Sequence, residues 1–252
     1  MKSHEAIDPV VRWFHWINFL CLLGLIAVGV VLLFDDSLAL GSDAKVKLKT
    51  VHVIIGYVFG VNLLMRLWWG FVGRRPARWR AILPVGRRYR AELRRFLSNR
   101  RNGRWQPYLG YDPLGRIAIM VMFALLFGQA LTGLALAGTD LFLPPFGRWI
   151  AGALAAPGID PATLAPYAPS TYDPQAFAAL RAWRSPIAKA HEFGFYALLA
   201  FASLHIAAVI VVELRTRAAL VSSMFSGRKF LESPPPANGA AESRTAVSTD
   251  RS

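Results

Sequence analysis

The chain has one cysteine, Cys21, among 252 residues. A single thiol builds no internal disulfide framework, and no C-x-x-C-H motif is present for covalent haem attachment. Acidic residues are also scarce: 15 Asp and Glu stand against 29 Lys and Arg, a formal net charge of +14. Such an excess suggests nucleic acid, but its distribution argues otherwise. Twelve arginines lie between Arg74 and Arg104, whereas Phe34 to Lys49 sets three aspartates against three lysines and the stretch 138–187 is balanced as well. Nothing in the basic stretch suggests a base-reading fold. The first apolar block lacks a positively charged leader and a small-residue cleavage site, so it is expected to stay in the mature protein.

What the chain has in quantity is apolar sequence, 54% of its residues. It is gathered into four blocks, Trp13 to Phe34, Val51 to Val72, Leu114 to Ala137 and Ala188 to Val212, each longer than the roughly 18 residues that cross a bilayer. Backbone groups in lipid must be satisfied within their own segment, so these blocks predict helices at about 12–34, 50–72, 114–137 and 188–212. The expected fold class is all-α integral membrane, a four-transmembrane-helix bundle over residues 9–230. Cytoplasmic loops carry the excess of Lys and Arg, which puts the basic loop 73–113 and both termini inside and the loop 138–187 in the periplasm.

Within the basic loop Tyr89, Leu93, Phe96 and Leu97 have the spacing of an amphipathic helix lying on anionic lipid. The apolar piece Trp149 to Ala156 is too short to span and reads as an interfacial or docking segment. The Pro/Ala/Ser-rich tail 231–252 is expected to be disordered.

Four of the five histidines fall in the predicted spans. His191 and His205 lie fourteen residues apart on the fourth, which places them within roughly 40° of one face and about 21 Å apart along the axis. With alternating helix directions, His15 and His205 are both near the inner surface, and His52 and His191 are both near the outer one. Ionisable groups in hydrocarbon usually mark function. Any one of these histidines taken alone reads equally well as an interfacial side chain bonded to a carbonyl. Two pairs at matched depths instead suit haem b, whose iron takes an axial histidine on either side of a flat apolar ring. Zinc suits them less, because each level offers two histidines and Glu192, the nearest carboxylate, points about 100° away from His191. His4 lies in the leader.

Haem propionates need water or cations. Arg12 and Arg66 are candidates at the inner level, Lys49 and Lys189 at the outer, although interfacial snorkelling explains such charges almost as well. Arg66 stands out because a cation inside a span needs a reason. Gly56 and Gly60 are suited to the approach of a helix or of a flat ligand, Gly128 and Gly133 to close helix packing. Gln129 is the one deeply placed amide of the third span.

The segments RWFHW, HVIIGY to RLWWGFVG, YDPLGR, GTDLFLPPFG, HEFGFYALLAFASLH and SSMFSGRK together resemble the b-type cytochrome subunits of nickel-iron hydrogenases, within the bacterial di-haem cytochrome b-561 family. The resemblance covers roughly residues 9–230. It implies two haems b, held by His15 with His205 and by His52 with His191, in a multi-pass protein of the bacterial inner membrane. It further implies an electron-transfer subunit working between a periplasmic redox partner, a hydrogenase or a c-type cytochrome, and the membrane quinone. Two alternatives stand beside that expectation: a stand-alone superoxide:quinone oxidoreductase of the same fold, drawing the anion to Lys49 and Lys189, and a divalent-metal transporter using the histidines as a relay.

Overall fold

Three of the long helices open on the same dipeptide. At Asp8-Pro9, Asp112-Pro113 and Asp173-Pro174 the aspartate carboxylate accepts a hydrogen bond from a backbone N–H of the first turn, from Val10 at 2.8 Å, Gly115 at 2.6 Å and Ala176 at 2.8 Å. The proline behind each aspartate fills a position whose own N–H would have no partner.

In the computed structural model, which describes residues 2–5, 7–74, 77–105, 111–216 and 220–231, the chain runs through β1 (Lys2–Glu5), α1 (Pro9–Leu33), α2 (Ser42–Val72), α3 (Trp79–Ile82) and α4 (Gly86–Arg101). It continues through α5 (Pro113–Leu141), α6 (Gly147–Leu154), α7 (Pro174–Thr216), α8 (Leu220–Ser226) and β2 (Arg228–Leu231), with short 3-10 turns at Pro161–Thr163 and Pro169–Thr171. The tail expected to be disordered lies, from residue 232 on, outside the described residues.

Helices α1, α2, α5 and α7 are long and apolar enough to cross a membrane. Their large apolar side chains face outward, for example Leu20, Val61, Leu64, Leu131, Phe193 and Leu204. In water that surface would be untenable, whereas in lipid it is the proper exterior. The chain is a multi-pass membrane protein. The longest helix, α7, has 43 residues and is about 64 Å long at 1.5 Å per residue, twice the roughly 30 Å of bilayer hydrocarbon. It starts fourteen residues before the apolar run at Ala188, at its aspartate cap, and carries Pro186 inside it.

The chain divides into two compact units. One comprises Met1–Arg12, Trp69–Met120 and Ser203–Ser252. Here β1 pairs antiparallel with β2, Lys2 opposite Leu231 and Glu5 opposite Arg228, a two-stranded ribbon that the helical patterning did not announce. Tyr89 and Phe96 of α4 are buried within this unit, and the Tyr89 hydroxyl donates to the Pro113 carbonyl at 2.9 Å. The apolar face of α4 is therefore partly used against the chain itself. Val85 and Leu97 stay exposed. Arg12 donates to the Phe225 carbonyl at 2.5 Å and lies against Gly227, whose φ of +76° is one that glycine adopts without strain.

The other unit comprises Trp13–Trp68 and Val121–Ala202. Its α5–α6 connection turns so tightly that a Cβ on Gly147 would sit 1.9 Å from the Phe142 carbonyl carbon. The Tyr57 hydroxyl donates to the Pro144 carbonyl at 2.5 Å and ties this connection to α2. The segment Trp149 to Ala156, read as non-spanning, is mostly α6. Where the chain passes from α1 to α2, the ammonium of Lys45, in the first turn of α2, stands 2.9 Å from Asp35 and holds that carboxyl below the usual carboxylate range.

Candidate haem-binding site

Helices α2 and α7 bring His52 and His191 face to face within one unit, their ring centres 6.3 Å apart and their planes at 77°. A cavity of about 320 Å³ surrounds the pair. Its walls are mainly aliphatic and aromatic, with Leu25 and Ile26 from α1, Phe59 from α2, Leu134 from α5 and Phe195 and Leu198 from α7. At one end the lining becomes ionic at Lys49, Asp140 and Arg184.

The pair fits two axial ligands of one iron. With a metal–imidazole bond of about 2 Å and roughly another 1 Å from nitrogen to ring centre, trans imidazoles should have centres roughly 6 Å apart. Among the described residues no cluster of three His, Cys, Asp or Glu forms, and a facing pair of imidazoles is a donor set that fits a porphyrin iron, which needs only two from the protein. Glu192, expected to point away, also borders the cavity. The cavity wall takes in more of the α7 circumference than one 100° step.

Glycines supply the width. A Cβ on Gly29 would lie 3.5 Å from His52 Cε1, and one on Gly133 would lie 3.4 Å from His191 Cε1, so each imidazole backs onto a glycine of a neighbouring helix. Gly133 thus packs against the His191 ring, and Gly128, read as a packing site, has nothing within 4 Å of a Cβ placed on it. Gly56 lines the cavity and likewise meets nothing within 4 Å, which favours the flat-ligand reading over helix packing. Gly56→Leu should therefore fill the cavity and remove most of the haem from this site, read as pigment per chain. Gly60→Ala, equally open but away from the cavity, should leave it intact.

Helix α5 carries no histidine, yet it holds His191. Thr132 Oγ1 lies 2.8 Å from His191 Nδ1, and Gln129 Nε2 donates to the His191 carbonyl at 3.0 Å. Gln129 reaches this carbonyl past Gly194, where a Cβ would come within 3.0 Å of the amide nitrogen. Two turns further along α5, Asp140 receives Lys49 at 2.6 Å, Arg184 Nη2 at 2.7 Å and a second, shorter contact from Arg184 Nε. Thr139 donates to the same carboxylate at 3.1 Å. Lys49 also stands 5.3 Å over the Tyr167 ring. Lys49 is thus an ion-paired side chain at the cavity edge, and Lys189 is exposed and outside the lining.

Sequence reasoning missed Thr132, Asp140 and Arg184. Their signal was one of spacing. Gln129, Thr132 and Gly133 stand at i, i+3 and i+4 on one helix face, and Arg184 precedes His191 by two turns.

At the other level, His15 lies in the same unit as the outer pair, edge-on to Trp16 with ring centres 5.6 Å apart. His205 belongs to the other unit. Arg66 is only 2% exposed; its guanidinium lies 5.4 Å over the Phe123 ring, which stacks on Phe14 at 6.0 Å. A cation against an aromatic face is one way to hold charge inside a span. Asn62, also buried, donates to the Phe14 carbonyl at 3.0 Å.

A family model described as prokaryotic cytochrome b561 matches residues 6–227. The chain is 24% identical over 250 residues to the probable Ni/Fe-hydrogenase B-type cytochrome subunit of Rhizobium leguminosarum bv. viciae, covering 92% of this chain and 90% of the relative. It is 25% identical over 236 residues to the protein of the same description from Bradyrhizobium diazoefficiens, covering 88% and 84%. With the probable Ni/Fe-hydrogenase 1 B-type cytochrome subunit of Escherichia coli (strain K12) it shares 29% identity over 145 residues, 53% of this chain. That match spans 60% of the E. coli subunit's length.

Proposed function

The chain belongs to the prokaryotic cytochrome b561 family, and from that premise we propose that it is a di-haem b-type cytochrome of the bacterial inner membrane. It carries electrons between a periplasmic redox protein, a hydrogenase or a c-type cytochrome, and the membrane quinone. The observation that supports this most is the separation of His52 and His191, 6.3 Å between ring centres inside an apolar cavity. Haem b bound there supplies one-electron exchange between ferric and ferrous iron.

The residues of the chain do the rest. His52 and His191 would hold the iron between them, a two-histidine set that favours electron transfer over oxygen binding or activation. The aliphatic walls keep water from the ring. Lys49 and Arg184, held by Asp140, put an excess positive charge at the cavity edge, which would suit haem propionates. His15 and His205, paired by their depth in the sequence, hold the second haem, with Arg66 and Arg12 as its cationic neighbours. The hydrogenase partner is suggested by the names of the relatives. Both termini and the arginine-rich loop face the cytoplasm by their charge.

The test is spectroscopic. Chain purified from haem-replete cells should contain about two haems b, with the reduced spectrum of bis-histidine coordination, and should be oxidised by a quinone analogue. A colourless chain would overturn the reading.

A further inference from the structure

We propose that Thr132 is a positioning residue for the outer haem: it accepts the Nδ1 proton of His191, presents Nε2 to iron and sets the electron-donating strength of that ligand. This rests on the reading of His191 as an axial ligand.

The hydroxyl of Thr132 has one proton and three neighbours. Its Oγ1 stands 2.8 Å from the Gly128 carbonyl, 3.2 Å from the Gln129 carbonyl and 2.8 Å from His191 Nδ1. Carbonyl oxygens only accept. A hydroxyl that donates to its own helix has lone pairs left for the imidazole, so the bond to His191 runs from Nδ1–H to Oγ1. The ring is then the tautomer whose bare nitrogen is Nε2, the one a metal needs. Two further features of the site support the same arrangement. Gln129, one turn back on α5, fixes the His191 carbonyl, and Gly133, one residue on, leaves room for the ring edge. Rotation of the imidazole is thereby restricted from both the backbone side and the ring side.

His52 has no counterpart. Its Nδ1 is buried with no hydrogen-bond partner among the described residues. The two axial ligands therefore differ, and tuning through an imidazole hydrogen bond acts through His191. An acceptor at Nδ1–H makes the imidazole more basic and favours ferric over ferrous iron. Removing that acceptor should favour the ferrous form.

The test compares full-length Thr132→Val, which keeps the branched shape and loses the acceptor, with Thr132→Ser, which keeps the acceptor. Both are purified with lipid and titrated potentiometrically. In Thr132→Val one of the two haems should become easier to reduce, its ferrous:ferric ratio at fixed potential rising about two- to tenfold, the range of one hydrogen bond. Thr132→Ser should titrate like the wild type. In a His191→Ala background the valine substitution should change nothing. Loss of the outer haem in Thr132→Val, with Thr132→Ser intact, would also support the proposal. Wild-type haem content with unmoved potentials in Thr132→Val would overturn it, and so would equal behaviour of the valine and serine variants. Absence of haem from the wild-type chain would instead sink the parent reading.

Discussion

Replacing His191 with alanine is expected to remove about half of the haem b from the purified chain and to leave the other half with its band positions unchanged. The expectation follows from separation by depth: the outer pair sits in its own apolar cavity, and neither His15 nor His205 lines it. With one imidazole gone, His52 alone faces a ring whose other side has no donor, and bis-histidine coordination becomes impossible. His52→Ala should give the same loss. The double variant should lose little more than either single one, because two ligands of one iron act as a unit. His15→Ala and His205→Ala should remove the complementary half. Haem per chain, measured as the pyridine derivative, decides the matter. Undiminished haem in His52→Ala would break the outer pairing.

A second large effect is expected at Asp140. Its carboxylate joins Lys49 from α2 to Arg184 from α7, and its own side chain is 11% exposed. Asp140→Asn keeps the size of the side chain and removes the charge, leaving Lys49 and Arg184 side by side without their counter-ion. Breaking a buried ion pair from one side costs about 3 to 5 kcal/mol. Partial exposure of Arg184, 34% at its side chain, reduces that to about 2 kcal/mol. Denaturant unfolding in mixed micelles, followed by helical circular dichroism, should show a clearly lower midpoint. Adding Arg184→Gln to Asp140→Asn should recover part of the loss, since the like-charge pair is then relieved. A midpoint equal to that of the wild type would mean that the cluster is effectively solvated.

The apolar blocks made the spanning helices legible, because in lipid the backbone has few other solutions. Histidine depth made the proximity of His52 and His191 legible too, since each lies near the start of its apolar run, on α2 and on α7, and their rings stand 6.3 Å apart. The start of α7 was hidden by that criterion. Its first fourteen residues are interrupted by Gln175, Arg181, Arg184 and Ser185 and contain Pro186, and hydropathy alone saw a long loop where Asp173-Pro174 marked a helix start. Thr132 was illegible for a different reason: a threonine in an apolar helix ordinarily bonds to its own backbone, as this one also does, and only the partner helix reveals the second bond. The ribbon of β1 and β2 joins residues at opposite ends of the chain, a pairing that local pattern does not encode. Arg66 was noticed as a cation inside a span, but its burial and the aromatic shelf of Phe14 and Phe123 beneath it depend on packing between α1, α2 and α5.

The polar contacts between α5 and α7 come at three successive heights. Asp140 meets Arg184, Thr132 meets His191, and Gln129 lies against Gly194. Rungs at several levels stop two antiparallel rods from sliding or rolling past one another. A redox centre gains or loses a whole charge in a single event, and every atom that must then move adds to the activation barrier. Cross-bracing of this kind lets the imidazole keep its place while the charge beside it changes, so that little rearrangement accompanies each transfer.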